Sequence, residues 1–144
     1  MQRPLSITLF AGLFGFSVMV ALLLALYAVQ PSDFSFTLTP EAADTLTIRI
    51  RAIRLFGIAF AVVLMLLVVI GRSRAARSAH GLRWVLGLVT SVAFLRGIGV
   101  ILPGSGTGVE VVTLSIIQLS VEGGAILLLY GDDAAAWFEG RLSH

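Results

Sequence analysis

The sequence predicts an all-α integral membrane protein, built as a four-helix bundle with a short interfacial helix at its C-terminus. Composition is the first reason, because 58% of the 144 residues are hydrophobic and only 12% are charged. Soluble chains are nearer to half apolar and a quarter charged. The second reason is a set of four long apolar stretches suited to crossing a bilayer. These predicted spans cover residues 5–29, 55–71, 84–102 and 109–130.

The first apolar stretch, Leu5 to Val29, contains 25 residues and no charge. The hydrophobic region of a signal peptide is about 7–15 residues long, so this stretch is too long for that role. It also lacks a convincing small-x-small cleavage site before Gln30. We therefore expect an uncleaved first spanning helix.

The polar connection between the first two spans, residues 30–54, carries two competing patterns. Thr39, Pro40 and Glu41 are typical of a helix start, with an N-cap, a proline at the first helical position and an acid in the first turn. Residues 45–51 instead alternate between polar and apolar side chains, as a strand does. The patterns favour an amphipathic helix that leads into the second span, and a surface hairpin remains the alternative.

The C-terminal third of the chain holds a tight turn and a last short helix. Residues 103–108 are rich in Pro and Gly, but a soluble strand before them and a Lys within them are missing, so they do not indicate a nucleotide site. Asp132 and Asp133 follow the fourth span and can cap a helix, which we place at 132–142. Its Trp137 and Phe138 suit the lipid headgroup region.

The distribution of arginine predicts the orientation, since cytoplasmic loops carry an excess of basic residues. Six arginines flank one side of the predicted spans and three flank the other. This places both termini and the middle loop in the cytoplasm. Four of these arginines form a cytoplasmic basic loop, Arg72, Arg74, Arg77 and Arg83. This loop mainly enforces topology, with anionic-lipid binding as the sharper alternative. The six are Arg3, Arg72, Arg74, Arg77, Arg83 and Arg141.

Three polar side chains within the apolar stretches form the candidate site. Gln118 and Glu122 are one helical turn apart in the fourth span, so they share a face. A carboxylate in hydrocarbon needs a partner, and Arg96 is the charge deep in the third span. We therefore predict an Arg96–Glu122 pair with Gln118 between them. Three roles stay open: a structural pair, a site for a ligand or cofactor headgroup, and a proton or ion pathway in which Glu122 titrates.

The remaining polar residues are weaker candidates for a functional role. Arg54 lies where the second span enters the outer leaflet and could contact Glu110 or a lipid phosphate, while Glu110 suits the positive end of the fourth helix. His80 and His144 lie outside the predicted spans, which argues against a haem ligand in the bundle. The chain has no Cys, no metal-ligand spacing and no catalytic triad. We expect no enzyme activity, no metal, no resident cofactor and no nucleic-acid partner.

Three short segments carry a family resemblance: Arg54-Leu55-Phe56-Gly57, Leu95-Arg96-Gly97-Ile98-Gly99 and Leu119-Ser120-Val121-Glu122. They resemble the small DoxX-like four-helix bacterial membrane proteins and their uncharacterised relatives, over about residues 50–130. Those relatives place an Arg at a Gly-rich end of the third helix and a Glu in the fourth. The resemblance implies a bacterial inner-membrane bundle, sometimes associated with redox partners or quinone.

These observations predict a non-catalytic binding or accessory subunit of the inner membrane. Its expected partners are membrane lipid and either another membrane protein or a second copy of the chain, and quinone or lipid are the ligands to consider. The alternative is a small proton-coupled transporter or channel that works as a homo-oligomer. A quinone-linked component of a membrane oxidoreductase is a third hypothesis, which the resemblance alone implies.

Overall fold

The computed structural model describes residues 3–34, 37–101 and 109–140, with the side chains of all of these except 91, 93–101 and 109. The described chain is helical and contains no β-strand, which confirms the predicted all-α class. The predicted turn at 103–108 lies outside the described residues. The elements are α1 (Leu5–Tyr27), a 3₁₀ turn (Pro31–Phe34), α2 (Pro40–Val69), α3 (Arg74–Ile101), α4 (Val109–Leu128) and α5 (Asp132–Glu139).

Three of the described helices are long and apolar enough to cross a membrane. They are α1, α2 and the segment Glu110–Leu128 of α4. At 1.5 Å per residue, the 30 residues of α2 extend over about 45 Å. That length exceeds the hydrocarbon thickness of a bilayer, about 30 Å, so α2 is long enough for its polar first turns to project beyond it.

The start of α2 follows the predicted capping pattern. Thr39 is the N-cap, with extended backbone, and its hydroxyl accepts a hydrogen bond from the Ala42 N–H at 3.4 Å. Pro40 opens the helix and Glu41 lies in the first turn. The helix then continues without interruption to Val69. The predicted helix start is therefore confirmed, and residues 45–51 belong to this helix rather than to a hairpin.

A short connection of four residues, 70–73, reverses the chain between α2 and α3. Arg72 has a φ of 50°, a left-handed conformation that non-glycine residues seldom adopt. A Cβ on Gly71 would approach the Leu67 carbonyl oxygen to 2.8 Å, so the connection leaves no room for a side chain there. Ser73 accepts a hydrogen bond from the Ala76 N–H through its hydroxyl at 3.2 Å, which caps the start of α3.

The four long helices pack in sequence order around a common core. α1 contacts α2 and α4, and α3 contacts the same two helices from the other side. The core lies toward the end of the molecule where α1 and α3 begin and α2 and α4 end. Its most buried apolar members are Ile7, Phe10, Phe14, Val68, Ala125, Leu129 and Ala134.

The opposite end is held by arginines of α2 that bind the C-terminal end of α1. Arg51 donates to the Val29 carbonyl and to the side-chain oxygen of Gln30, both at 3.1 Å. Arg54 donates to the Leu24 carbonyl at 3.2 Å. The Leu24 carbonyl also accepts the Ala28 N–H at 3.0 Å, so Arg54 adds a second bond to it. The C-terminal end of a helix carries partial negative charge, so these guanidinium groups stabilise the end of α1.

The short helix α5 folds back onto the core. The Trp137 indole N–H donates to the Val68 carbonyl of α2 at 3.2 Å, and the Ser6 N–H of α1 donates to Asp133 at 3.1 Å. Trp137 and Phe138 are both buried in the core cluster. The predicted short helix is therefore present, and its two large aromatic residues face the other helices. Its position at a membrane surface stays a prediction.

Candidate functional site

An ion pair between a buried carboxylate and a partly exposed guanidinium joins α3 to α4 near the middle of the molecule. Glu122 has 4% of its surface exposed, and its Oε1 pairs with Nη2 of Arg83. The Arg83 guanidinium carbon also lies 5.6 Å from the centre of the Phe14 ring on α1. Arginine stacks favourably on an aromatic face, so Arg83 contacts a charge on one side and a ring on the other.

The second carboxylate oxygen of Glu122 binds two further side chains. Oε2 accepts from the Gln118 side-chain amide at 2.5 Å and from the Ser17 hydroxyl of α1 at 3.3 Å. The Gln118 amide also donates to the Ser17 oxygen at 3.1 Å. Glu122 is thus held from three helices, and we call Ser17, Arg83, Gln118 and Glu122 the central polar cluster.

His80 lies one turn before Arg83 on α3 and is fully buried. Its ring packs edge-on against Phe10 and Phe14 of α1, with ring centres 5.4 Å and 4.8 Å apart. Within the described residues, neither ring nitrogen has a well-aligned hydrogen-bond partner, and the polar contact of the ring is with the Leu64 backbone. A buried polar atom that is poorly hydrogen-bonded costs free energy.

The α3–α4 contact depends on a glycine beside the cluster. The Trp84 indole N–H donates to the Leu119 carbonyl at 3.0 Å. A Cβ added to Gly123 would lie 2.9 Å from the six-membered ring of Trp84. Gly123 therefore lets the indole lie against the α4 backbone, which brings Arg83 within reach of Glu122.

The structure brings two of the predicted site residues into contact. Gln118 and Glu122 do share a face of α4, and their side chains are hydrogen-bonded to each other. Arg96 lies in the part of α3 whose side chains are outside the described residues, so its pairing with Glu122 stays a prediction. Arg54 donates to the end of α1, and Glu110 is exposed in the first turn of α4. Their contact with each other or with lipid stays a prediction.

Sequence reasoning missed that His80 is a core residue and that the partly exposed Arg83 reaches inward to pair with Glu122. It assigned Arg83 to a basic loop and His80 to a position outside the spans, because both follow a group of arginines. The signal that could have found them is periodicity. Ala76, His80 and Arg83 recur at intervals of four and three residues, as one buried stripe of a helix does, and α3 begins at Arg74 rather than near Trp84.

The rest of the basic group lies elsewhere. Arg72 and Arg77 lie against aromatic residues at the end of the molecule where α5 docks, and Arg74 is exposed there. Two open clefts of the described chain lie at the opposite end, one between the 3₁₀ turn and the start of α2 and the other along the first turns of α2. The central polar cluster lines neither of them. Within the described residues, no three His, Asp or Glu side chains are grouped to hold a metal ion.

Comparison of the chain with protein-family models, with curated proteins and with solved structures finds no match.

Proposed function

We propose that this chain is a bacterial inner-membrane protein in which α1, α2, α3 and α4 each cross the bilayer as a four-helix bundle. Large apolar side chains on the outer faces of the helices support this, such as Phe56 with 75% and Leu127 with 73% of their surface exposed. Extended apolar surface is unfavourable in water and normal in lipid. The DoxX-like resemblance implies the same architecture.

The orientation that we propose has both termini in the cytoplasm. Contacts between helix ends support it, since Ser6 and Val68 both bind α5 and therefore lie at the same end of the molecule. Arg72 of the α2–α3 connection and Arg77 in the first turn of α3 lie at that end too. Arg51 and Arg54 lie at the other end, next to the last turn of α1.

Within this architecture we infer a non-catalytic binding or accessory subunit. The observation that carries this inference is that both carboxylate oxygens of Glu122 are engaged, by Arg83 on one side and by Ser17 and Gln118 on the other. A carboxylate that is neutralised and bonded from three helices is suited to fixing their arrangement. The outward apolar faces would then bind a partner in the plane of the membrane.

Purification in a mild detergent, followed by mass spectrometry of the intact complex, tests this function. We expect a second protein at a fixed ratio. A Phe56→Ser variant, which alters an outward face and leaves Glu122 untouched, should lose that protein. A homo-oligomer alone, with or without lipid, would contradict the accessory-subunit function and favour transport.

His80 supports a second candidate, a proton-coupled transporter. An imidazole ring can bind and release a proton, and this one is buried one turn from the Arg83–Glu122 pair. Reconstitution into vesicles with a pH-sensitive dye inside tests it. Proton flux that is absent in His80→Gln but kept in Thr90→Ala, an exposed position on the same helix, would establish this candidate in place of the first.

A further inference from the structure

A basic and aromatic surface lies where α5 docks beside the start of α3. We call it the arginine–aromatic face and define it by Arg72, Arg74, Arg77 and Tyr130, with Arg72 packed over the buried ring of Trp137. The Arg72 guanidinium carbon lies 4.2 Å from the Trp137 ring centre, and that of Arg77 lies 5.0 Å from the Tyr130 ring centre. These contacts hold two guanidinium groups in place, so less conformational freedom is lost when they bind a ligand.

The charge on this face is only partly offset. The first turn of α3 contains no acid, and the N-terminal end of a helix adds a partial positive charge to that of the arginines. α5 brings Asp132, Asp133 and Glu139 to the same end of the molecule. The Asp133 carboxylate is bonded to the N–H groups of Ser6 and Ala134. The acids reduce the positive potential here, and α3 retains Arg74 and Arg77 in its first turn.

The position of the arginine–aromatic face along the helices indicates the kind of ligand that it binds. Trp137 binds the Val68 carbonyl, at the point where the apolar part of α2 ends. In a bilayer, such a position is the headgroup region, where Trp and Tyr are enriched. Arginine binds phosphate oxygens through two parallel N–H groups, and phosphate is the anion that this region supplies.

We propose that the arginine–aromatic face binds the phosphate of an anionic phospholipid headgroup in the cytoplasmic leaflet. This inference rests on the proposed membrane insertion. It adds a selective lipid site to the proposed function. A zwitterionic lipid also carries a phosphate, but its own ammonium group offsets that charge, so the arginines should prefer a lipid whose phosphate charge is not offset. A guanidinium near an anionic membrane surface contributes about fivefold in affinity, so Arg74 and Arg77 together should give up to about 25-fold preference for an anionic over a zwitterionic lipid.

The thermal midpoint of the detergent-purified chain in mixed micelles, with phosphatidylglycerol or with phosphatidylcholine, tests the site. We expect phosphatidylglycerol to raise the thermal midpoint more than phosphatidylcholine does. The dependence of the midpoint on the lipid fraction gives the apparent affinity for each lipid. The double variant Arg74→Gln/Arg77→Gln should lose most of this preference. Arg49→Gln, which removes an exposed arginine from the start of α2, should keep it. Arg77→Lys, which retains charge without the planar group, should fall between them.

Equal shifts with the two lipids, or equal loss in Arg49→Gln, would overturn the proposal. So would an equal shift with inorganic phosphate, since the site would then take a free anion. If the double variant does not fold, the single Arg74→Gln variant decides, because that side chain is exposed. Membrane insertion is scored separately, by whether the chain stays in membranes washed with alkaline carbonate, so failure of the lipid site and failure of the architecture give different results.

Discussion

Glu122 loses its hydration when it is buried between α1, α3 and α4, and three side chains replace the lost contacts. Arg83 supplies the opposite charge, while Ser17 and Gln118 supply hydrogen bonds. Such an arrangement is stable only as a whole, because removal of one partner leaves a buried charge uncompensated. The interaction energy between two of these residues is therefore measured best by changing both of them together.

We predict strong coupling between Glu122 and Arg83. Arg83→Met alone should lower the free energy of unfolding by about 3–5 kcal/mol, because it leaves the buried carboxylate without its counter-charge. Glu122→Gln should cost less, because the Arg83 side chain that it leaves unpaired is partly exposed. Glu122→Leu with Arg83→Met should recover much of that loss. A double-mutant cycle from chemical denaturation in detergent measures the coupling.

The same cycle with Arg96→Met tests the pairing that the sequence suggested. Arg96 follows Arg83 by thirteen residues, about 20 Å along a helix, so the two arginines are clearly distinct partners. If the effects of the Glu122 and Arg83 substitutions on the free energy of unfolding are additive, the Arg83–Glu122 pair is contradicted. If Glu122 is coupled to Arg96 alone, the Arg96–Glu122 pair replaces it.

We also predict that two adjacent glycines of α4 respond in opposite ways to alanine. Gly123→Ala should destabilise the chain by about 1–3 kcal/mol, since the new methyl group collides with Trp84. Gly124→Ala meets no atom within 4 Å and should be neutral or stabilising by up to about 1 kcal/mol through helix propensity. Thermal unfolding followed by tryptophan fluorescence measures both, and equal effects would argue against close packing at Gly123.

At the scale of the element, the stability of α5 depends on its packing against α1 and α2. It has only eight residues, and helices this short are unstable alone in water. Its first turn carries Asp132 and Asp133, and it ends at Gly140 in the left-handed conformation, a common helix stop. The contacts of Asp133 with Ser6 and of Trp137 with Val68 then attach it to α1 and α2.

We predict that acid loosens α5. The Ser6 hydroxyl, and after it the Ser6 backbone N–H, lower the pKa of Asp133 below its ordinary value of 3.8. A group whose pKa is lower in the folded state stabilises above its unfolded pKa and loses that effect as pH falls through the folded pKa. Trp137 emission should therefore stay constant from neutral pH down to about 4 and change below it.

Asp133→Asn and Asp132→Asn are matched variants for this test. The first should remove most of the acid-induced change in Trp137 emission, because it lacks the carboxylate that Ser6 binds. The second should keep that change. The interpretation would be wrong if Asp133→Asn titrated like the unmodified chain.

At the scale of the whole molecule, the two ends differ in composition and in the way the helices are joined. One end holds α5, the α2–α3 connection and the arginine–aromatic face. The other holds the 3₁₀ turn, the polar start of α2 and the arginines that bind the end of α1. This asymmetry gives the proposed orientation a direct test.

We predict that a reporter active only in the periplasm is silent when fused after His144 and active when inserted near Asp44. The reason is the excess of arginine at the end with α5. A cytoplasmic reporter at the same two positions is the control and should give the reverse pattern. Activity of the periplasmic reporter at His144 would invert the proposed orientation.

Local patterns were sufficient to predict several elements. Thr39 and Pro40 specify a helix start through hydrogen bonding and backbone geometry that involve neighbouring residues alone. The spacing of Gln118 and Glu122 places them on one face in any helix. Long apolar stretches identified α1, α2 and α4, because length and hydropathy are properties of the segment itself.

The partner of Glu122 could not be predicted in the same way. A stretch with Arg72, Arg74, Arg77, His80 and Arg83 is typical of a solvated loop. The periodicity of Ala76, His80 and Arg83 can indicate an inward-facing stripe, but it does not identify what the stripe contacts. The contacts of Arg83 are with α1 and α4, which lie far away in the sequence. Likewise, the room that Gly123 leaves for Trp84 depends on how two helices meet.

The order of synthesis gives the Arg83–Glu122 pair a consequence during membrane insertion. Arg83 leaves the ribosome 39 residues before Glu122, so in the proposed arrangement α3 must wait for α4 before its charge is neutralised. The contacts between α1 and α2 are complete by then, because Arg51 and Arg54 need only residues up to Gln30. The first two helices can thus enter the bilayer as a finished hairpin, whereas α3 and α4 are obliged to enter together.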